Sequence, residues 1–524
     1  AAGARSGRVS RRTFMEGALA AGFGVAGAAS LWSTRVSAAT PKQGGVLRVG
    51  MHDGNTGDSL DPGTTESVYM IQLNHAVRSY LTEITEKNAL GPDMATSWSA
   101  SADATEWRFE LAKGASFHNG KAFVAADAVA SLNYHRGESS KSAAKALLTD
   151  VEDIRTDGDH AIVIEMKSGN ADLPYLLSDY HLVMLPADAA GPVDWQSGVG
   201  AGPYKIVHHD PGVSSEFVRH DGYHRDGLAH FEGVKFTSLN DPNARQTALV
   251  TGEVDAISDV DLKTVGLLAR APGIEIDNVP SGTHLTLPMF CDAAPFQDVN
   301  VRLAMKYAID REAILEKILY GYGSLGNDTP IGPSMPYYAE LPQRPYDPDK
   351  AKFHLKQAGM ENVSVSLSAT DSVMSGALDM CALYREQAAR AGIDIKVVRE
   401  PADGYWSNVW LVYPFVLVPW GARPTPDVMF SLAYKEDAAW NESHWRNPRF
   451  NELLLLAKKE LDDAKRADMY KEMQMLCRDD GGTIVPFFRN RLAGRRANVK
   501  HGPDIAGNWE LDGARCYQRW WFES

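Results

Sequence analysis

The sequence predicts an α/β protein of several domains, and three observations predict it. The hydrophobic period switches repeatedly between two and 3.6, with turn residues at the switches. Helix-then-strand units follow one another in the second half of the chain, which suggests a sheet with helical crossovers. The length, 524 residues, suits two to four domains at roughly 100 to 200 residues each.

Taken in order, residues 46–49 and 105–111 alternate as half-buried strands, whereas 124–136 and 299–309 carry apolar residues at three-and-four spacing. Asp241-Pro242 and Asp347-Pro348 each place a capping carboxylate before a proline suited to the first helical turn, and these helices should end near Gly252 and Gly359. The second is followed by a strand at 363–367, a helix at 375–390, Gly392 and a strand at 393–398. A helical stretch from 448 to 478 should break near Asp462-Asp463, ahead of a strand at 483–488.

Composition narrows the function. The chain is 44% hydrophobic and 23% charged, with 53 basic against 67 acidic side chains and no basic cluster on any predicted element. That lacks the footprint a phosphate backbone requires, so no nucleic-acid partner is expected. Cys291, Cys381, Cys477 and Cys516 are too widely spaced for a zinc site or redox motif and read as small buried hydrophobes. No metal and no cofactor are expected.

Residues 1–39 read as an export signal. Arg11-Arg12 precede Phe14, a weakly apolar Ala/Gly run extends from 17 to 32, Arg35 follows, and small residues close the segment at Ala38-Ala39. This resembles a twin-arginine signal peptide, and a periplasmic location follows as an expectation. Without it, 48 basic and 66 acidic side chains remain, a net charge of −18.

Three catalytic look-alikes need weighing. Gly57-Asp58-Ser59-Leu60 matches a short esterase motif, and Asp157 with His160 offers an Asp-x-x-His pair, but that pair falls on a turn early in the chain. An exported hydrolase using Ser59 is the alternative from another class. The run from Gly114 to Lys121 has one residue too many for a phosphate loop, and Ala122 stands where the metal-binding hydroxyl belongs. His208, His209 and His224 lie in a polar stretch without the helical spacing of a metal site.

Above these stands an ordered series: Gly44-Gly45-Val46-Leu47-Arg48, Leu60-Asp61-Pro62, Ala95-Thr96-Ser97-Trp98, Trp107 through Lys121 with Phe117-His118-Asn119-Gly120, Gly202-Pro203-Tyr204, Gly252-Glu253-Val254-Asp255, Pro295 through Ala304, and Tyr346-Asp347-Pro348. Together they resemble the extracytoplasmic solute-binding proteins of ABC importers, the peptide-, opine- and nickel-binding family 5. The resemblance implies a two-lobed α/β clamp of the periplasmic-binding-protein type with an extra inserted domain. Lobe one is expected at 42–80, 204–290 and 498–524, the inserted domain at 81–203, and lobe two at 291–497. It implies a binding protein rather than an enzyme, expected as a monomer, that captures a peptide or peptide-like solute and delivers it to a permease and ATPase complex. A metal chelate, an opine or an oligosaccharide is the alternative solute on the same fold.

By position the resemblance assigns two cleft-lining segments: Glu66, Ser67, Val68 and Tyr69 after the first strand, and Trp420, Gly421, Ala422 and Arg423 on the second lobe. Eight of the twelve tryptophans lie beyond residue 400, a bias that suits a pocket gripping its ligand by apolar faces. In the family's peptide binders the position aligned with Arg423 is an Asp that pairs with the ligand's α-amino group. A cation there reverses the local field: either the ligand presents a carboxylate, phosphate or hydroxyls at this point, or Glu66, Glu400 or another acid holds the amine, the alternative being that Arg423 is a surface turn residue or part of a structural salt bridge.

Overall fold

The computed structural model describes residues 41–188 and 192–523; the predicted export signal lies outside them. Strand Val46–Met51 has Leu47, Val49 and Met51 fully buried and is central to a seven-stranded mixed sheet. The sheet order is Ile274–Val279, Arg491–Arg496, Ala256–Ile257, Val46–Met51, Gly233–Ser238, Ser214–Arg219, Tyr204–Asp210. Val46–Met51 runs parallel to both its neighbours, and the other pairings are antiparallel. Tyr69, Tyr204, Phe236, Tyr517 and Trp520 pack on this sheet as the first-lobe core.

A four-stranded antiparallel sheet, Ala95–Ala100, Glu106–Leu111, Ala161–Met166 and Val151–Thr156, has its own core with helix Ala125–Tyr134. Two motifs of the sequence meet beside it. His118 Nδ1 accepts from Gly200 N at 3.2 Å, which leaves Nε2–H to donate to the Gly202 carbonyl at 3.0 Å. A Cβ on Gly202 would stand 2.4 Å from the Val77 carbonyl carbon, so only glycine lets these backbones approach. Gly120, at φ +84°, and Asn119, whose Oδ1 accepts from Lys121 N at 3.0 Å, form the turn that carries His118. The turn is structural.

The second lobe centres on His284–Pro288, flanked by Val418–Trp420, Phe487–Arg489 and Thr483–Ile484. The parallel pair Val363–Ala369 and Ile393–Arg399 encloses helix Ala377–Ala389 in sequence and joins that sheet through a bridge from Ser368 to Val416. The predicted helix signals act as their chemistry requires. Asp241 accepts from Ala244 N and the helix Pro242–Thr251 stops at Gly252, φ +81°. Asp462 accepts from Ala464 and Lys465 N, separating helices Pro448–Lys459 and Asp463–Asp479. The expected strand at 483–488 is broken in two at Pro486, which has no N–H for the ladder.

Two expected boundaries are corrected. His284–Pro288, assigned from sequence to lobe one, is hydrogen-bonded into the second sheet, and Arg491–Arg496, assigned to lobe two, lies in the first. The sheet a strand joins is set by long-range pairing that no local pattern shows. The chain therefore crosses between sheets at 280–283 and 489–491. The crossings are bonded to each other: Ser281 Oγ donates to Arg489 O at 2.7 Å, and Arg489 N to Thr283 O at 2.7 Å.

Ion pairs tie the hairpin Thr82–Ile84/Leu90–Pro92 to the first lobe. Glu83 receives Arg225 at 2.8 Å and Arg515 at 3.1 Å, and Asp93 receives His224 at 2.9 Å. Burial would raise the Glu83 carboxyl, but Arg515, Arg225 and Arg519 outweigh it and hold it low. The four-stranded region also touches the second lobe, through Asp172 to Arg466, Asp150 to Lys458 at 2.8 Å, and Ala171 N to Lys458 O at 2.7 Å.

Candidate functional site

The cleft between the two sheets has the paired crossings as its floor. Its first-lobe wall begins where strand Val46–Met51 ends. Glu66 is exposed and, with Asp53, Asn55 and Ser59, lines a recess of about 380 Å³. Ser67 shares that recess while capping helix Val68–Val77; its Oγ accepts from Met70 N and donates to Asp58 Oδ1 at 2.9 Å. Val68 is half-buried, its N–H on Asp53. Tyr69 is a correction: it is fully buried, edge-on to Phe236, with its hydroxyl on Ser215 Oγ at 2.8 Å, and belongs to the core rather than the cleft. On a helix that packs against a sheet, one residue in this run must point inward.

The second-lobe wall is the end of strand Val418–Trp420 and the turn beyond. Trp420 is only 4% exposed, which corrects the expectation that it lines the cleft: its indole packs within the wall. The cause is Glu442, a buried carboxylate that accepts from Thr286 Oγ1 at 2.6 Å, Trp420 Nε1 at 3.1 Å and Trp410 Nε1 at 3.0 Å. Burial pushes Glu442 up to about 7, against the pull of those three hydrogen bonds. Trp440 bridges Trp410 and Trp420 at 5.6 and 6.0 Å, and Trp406 leans edge-on against Trp410 at 5.8 Å. Trp406 is 49% and Trp440 40% exposed. Four of the eight tryptophans beyond residue 400 thus form one local ladder of rings, two of them held by the Glu442 carboxylate.

Gly421 is exposed, and Ala422 and Arg423 are half-buried. The Arg423 guanidinium lies 5.6 Å over the Trp420 ring and donates weakly to Gly421 O at 3.4 Å and Ala422 O at 3.3 Å. Among the described residues no carboxylate lies within ion-pair distance of it. Burial lowers its pKa, with Tyr180 and Asp179 opposing. Both come from the region between the four-stranded sheet and Tyr204, and Tyr180 also feels Glu66. Tyr180 thus feels the charges of both Arg423 and Glu66, one from each predicted segment.

Sequence reasoning missed the residues that complete the cleft. Tyr180 meets Trp509 edge-to-face at 5.2 Å, and Arg491 lies 5.7 Å over Trp509. Beside them a polar recess of about 470 Å³ is lined by His52, Asp259, Met374, Arg489, Arg491 and Glu510. These come from five separate stretches of chain, and no local pattern marks them. Glu400, weighed from sequence as an amine partner, instead accepts from Ser368 Oγ at 2.8 Å.

The look-alikes resolve into structure. Ser59 Oγ accepts from Asp61 N at 3.1 Å, while Asp157 is bound to Arg108 in the four-stranded region. His209 meets Ser215 Oγ, His224 pairs with Asp93, and His208 is exposed. Among the described residues no group of three His, Cys, Asp or Glu is placed to hold a metal ion, and no helix is long and apolar enough to cross a membrane.

Comparison with known proteins agrees with this architecture. Residues 89–442 match the family described as bacterial extracellular solute-binding proteins, family 5 Middle. A probable peptide ABC transporter periplasmic-binding protein, y4tO, of Sinorhizobium fredii is 29% identical over 69% of this chain and 71% of its own. The glutathione-binding protein GsiB of Pectobacterium atrosepticum is 24% identical over 73% of this chain and 77% of its own. Among solved structures, HbpA2 of Haemophilus parasuis superimposes with a TM-score of 0.80 at 18% identity, over 90% of this chain and 99% of that one.

Proposed function

Because this chain belongs to the bacterial extracellular solute-binding proteins of family 5, we propose that it captures a peptide or peptide-like solute between its lobes and delivers it to an ABC permease and ATPase complex. The observation that carries the reading is Arg423, a half-buried cation at the cleft with a ring beneath it and no carboxylate partner among the described residues. A guanidinium so placed offers its planar fork to a carboxylate or other anion of the solute. The exposed rings of Trp406 and Trp440 border the same wall and suit apolar parts of a ligand. Closure is a rotation about the two bonded crossings at 281–283 and 489–491, and solute bound to both lobes favours the closed arrangement by its differential contacts.

The binder works outside the cytoplasm as a monomer, exported through the twin-arginine route by residues 1–39. The export arm is checked directly: Arg11→Lys with Arg12→Lys should leave unprocessed protein in the cytoplasm, because that pathway reads the arginine pair itself rather than its charge. Normal maturation of the double variant by that route would overturn the assignment. Native mass spectrometry of the exported protein should find a retained peptide-sized mass.

A further inference from the structure

The recess on the hinge side of the cleft contains a carboxylate whose environment is incomplete. Glu510 is only 8% exposed. Its Oε1 lies 3.7 Å from Arg491 Nη1, whereas Oε2 receives no hydrogen bond. The neighbours that could donate are engaged elsewhere. His52 Nδ1 stands 3.5 Å from Oε2 but is within 3.0 Å of Ser258 Oγ. Arg491 donates to the carbonyls of Gly507 and Asn508 at 3.1 and 3.3 Å and covers Trp509.

The other charged groups of the recess divide in the same way. Asp53 accepts from Val68 N, Asp261 from Lys263 N, and Arg245 donates to four backbone carbonyls, with Asp259 3.6 Å from it. Arg489, at the crossing itself, makes no side-chain hydrogen bond or ion pair among the described residues and lines the same space.

The backbone holds Glu510 here at a cost. Leu511, Asp512, Gly513 and Ala514 are all left-handed, with φ between 52° and 65°. The Asp512 carboxylate fixes the turn by accepting from Ala506 N, Arg519 and Trp520 Nε1. Burial raises the Glu510 carboxyl, with His52 and Arg491 opposing.

An unsatisfied buried acceptor beside a free guanidinium fits one end of a peptide. We infer that this recess receives the amino terminus of the captured peptide, its ammonium donating to the Glu510 carboxylate and its first carbonyl oxygen accepting from Arg489. The inference rests on the peptide-capture reading and gives it a direction. Arg423 does not line this recess, so the ammonium and the anionic group of the solute bind at different parts of the cleft.

The test offers the purified full-length protein two randomised tripeptide mixtures, one with free and one with acetylated amino termini. Retained masses are read by native mass spectrometry, followed by calorimetry on one retained peptide and its acetylated twin. Free peptides should be retained and acetylation should weaken binding at least 30-fold. Glu510→Gln should weaken the free peptide by a similar factor and change the acetylated one less than threefold. Equal retention of both mixtures overturns the inference and leaves the capture reading intact; retention of neither removes both. Should the Gln variant not fold, the two mixtures on the unaltered protein decide alone.

Discussion

Replacing Arg423 by alanine is expected to lower affinity for the captured solute by roughly 30-fold to several thousand-fold. In a closed, largely dehydrated cleft the substitution removes one partner of a buried charge pair, which typically costs ~2 to 5 kcal/mol, at ~1.4 kcal/mol per decade of affinity. Arg423→Lys should recover only part, since an ammonium keeps the charge but loses the two-pronged grip. The protein itself loses little by the change, because Arg423 bonds only to two carbonyls of its own turn and covers Trp420. Melting temperatures of the three forms should therefore agree. If calorimetry finds all three binding within about a factor of five, the guanidinium behaves as an exposed charge worth ~0 to 1 kcal/mol, and the case for an anionic ligand group fails.

The largest stability effect is expected at Asp328, buried in the second lobe. Its carboxylate is fully buried between Arg311 Nη2 at 2.5 Å and Arg344 Nε at 2.9 Å, and accepts from Val485 N at 3.2 Å. Burial alone would raise its pKa, but Arg311, Lys306 and Arg344 hold it below the usual carboxylate range. Asp328→Ala leaves the buried Arg311 guanidinium without a carboxylate and Arg344 with only Asp479, 3.1 Å from its Nη2, and should cost about 3 to 5 kcal/mol. It also puts a Cβ-bearing residue without a local hydrogen-bonding side chain at φ +61°. Asp328→Asn tolerates that backbone better but still removes the charge, so it should fall between wild type and Ala in urea unfolding. The sign of the pH dependence follows from the depressed folded pKa. The contribution is present above the ordinary carboxyl range and is lost as pH falls through the folded value. A loss below 1 kcal/mol in Asp328→Ala would contradict this account of the second-lobe core.

Much of this molecule was legible in its sequence, where the signals are local. Asp241, Asp347 and Asp462 cap helices because an oxygen two or three residues ahead of free N–H groups does so in any context. His118 and Gly202 could be singled out as motifs, but that one ring joins them across 84 residues is a fact of tertiary structure. The same limit governs the site. Arg423 stood out because it departs from a family pattern, and Glu66 by its position. Tyr69 and Trp420 were likewise assigned to the cleft by position, yet Ser215 and Glu442 draw their polar ends inward. Glu510, Arg489 and Tyr180 carried no local signal, since what matters about them is an unpaired oxygen, a free guanidinium and a ring contact made only when distant stretches meet. The lobe boundaries failed for a related reason: His284–Pro288 and Arg491–Arg496 choose their sheets by pairing that spans up to 239 residues.

The central claim, that solute is held by closing two lobes about the crossings at 281–283 and 489–491, is tested most directly by small-angle scattering. The radius of gyration is measured with and without the solute identified by native mass spectrometry. At saturation it should fall, and the fall should be absent in Arg423→Ala at the same solute concentration. An envelope unchanged by saturating solute in the unaltered protein would contradict capture by closure.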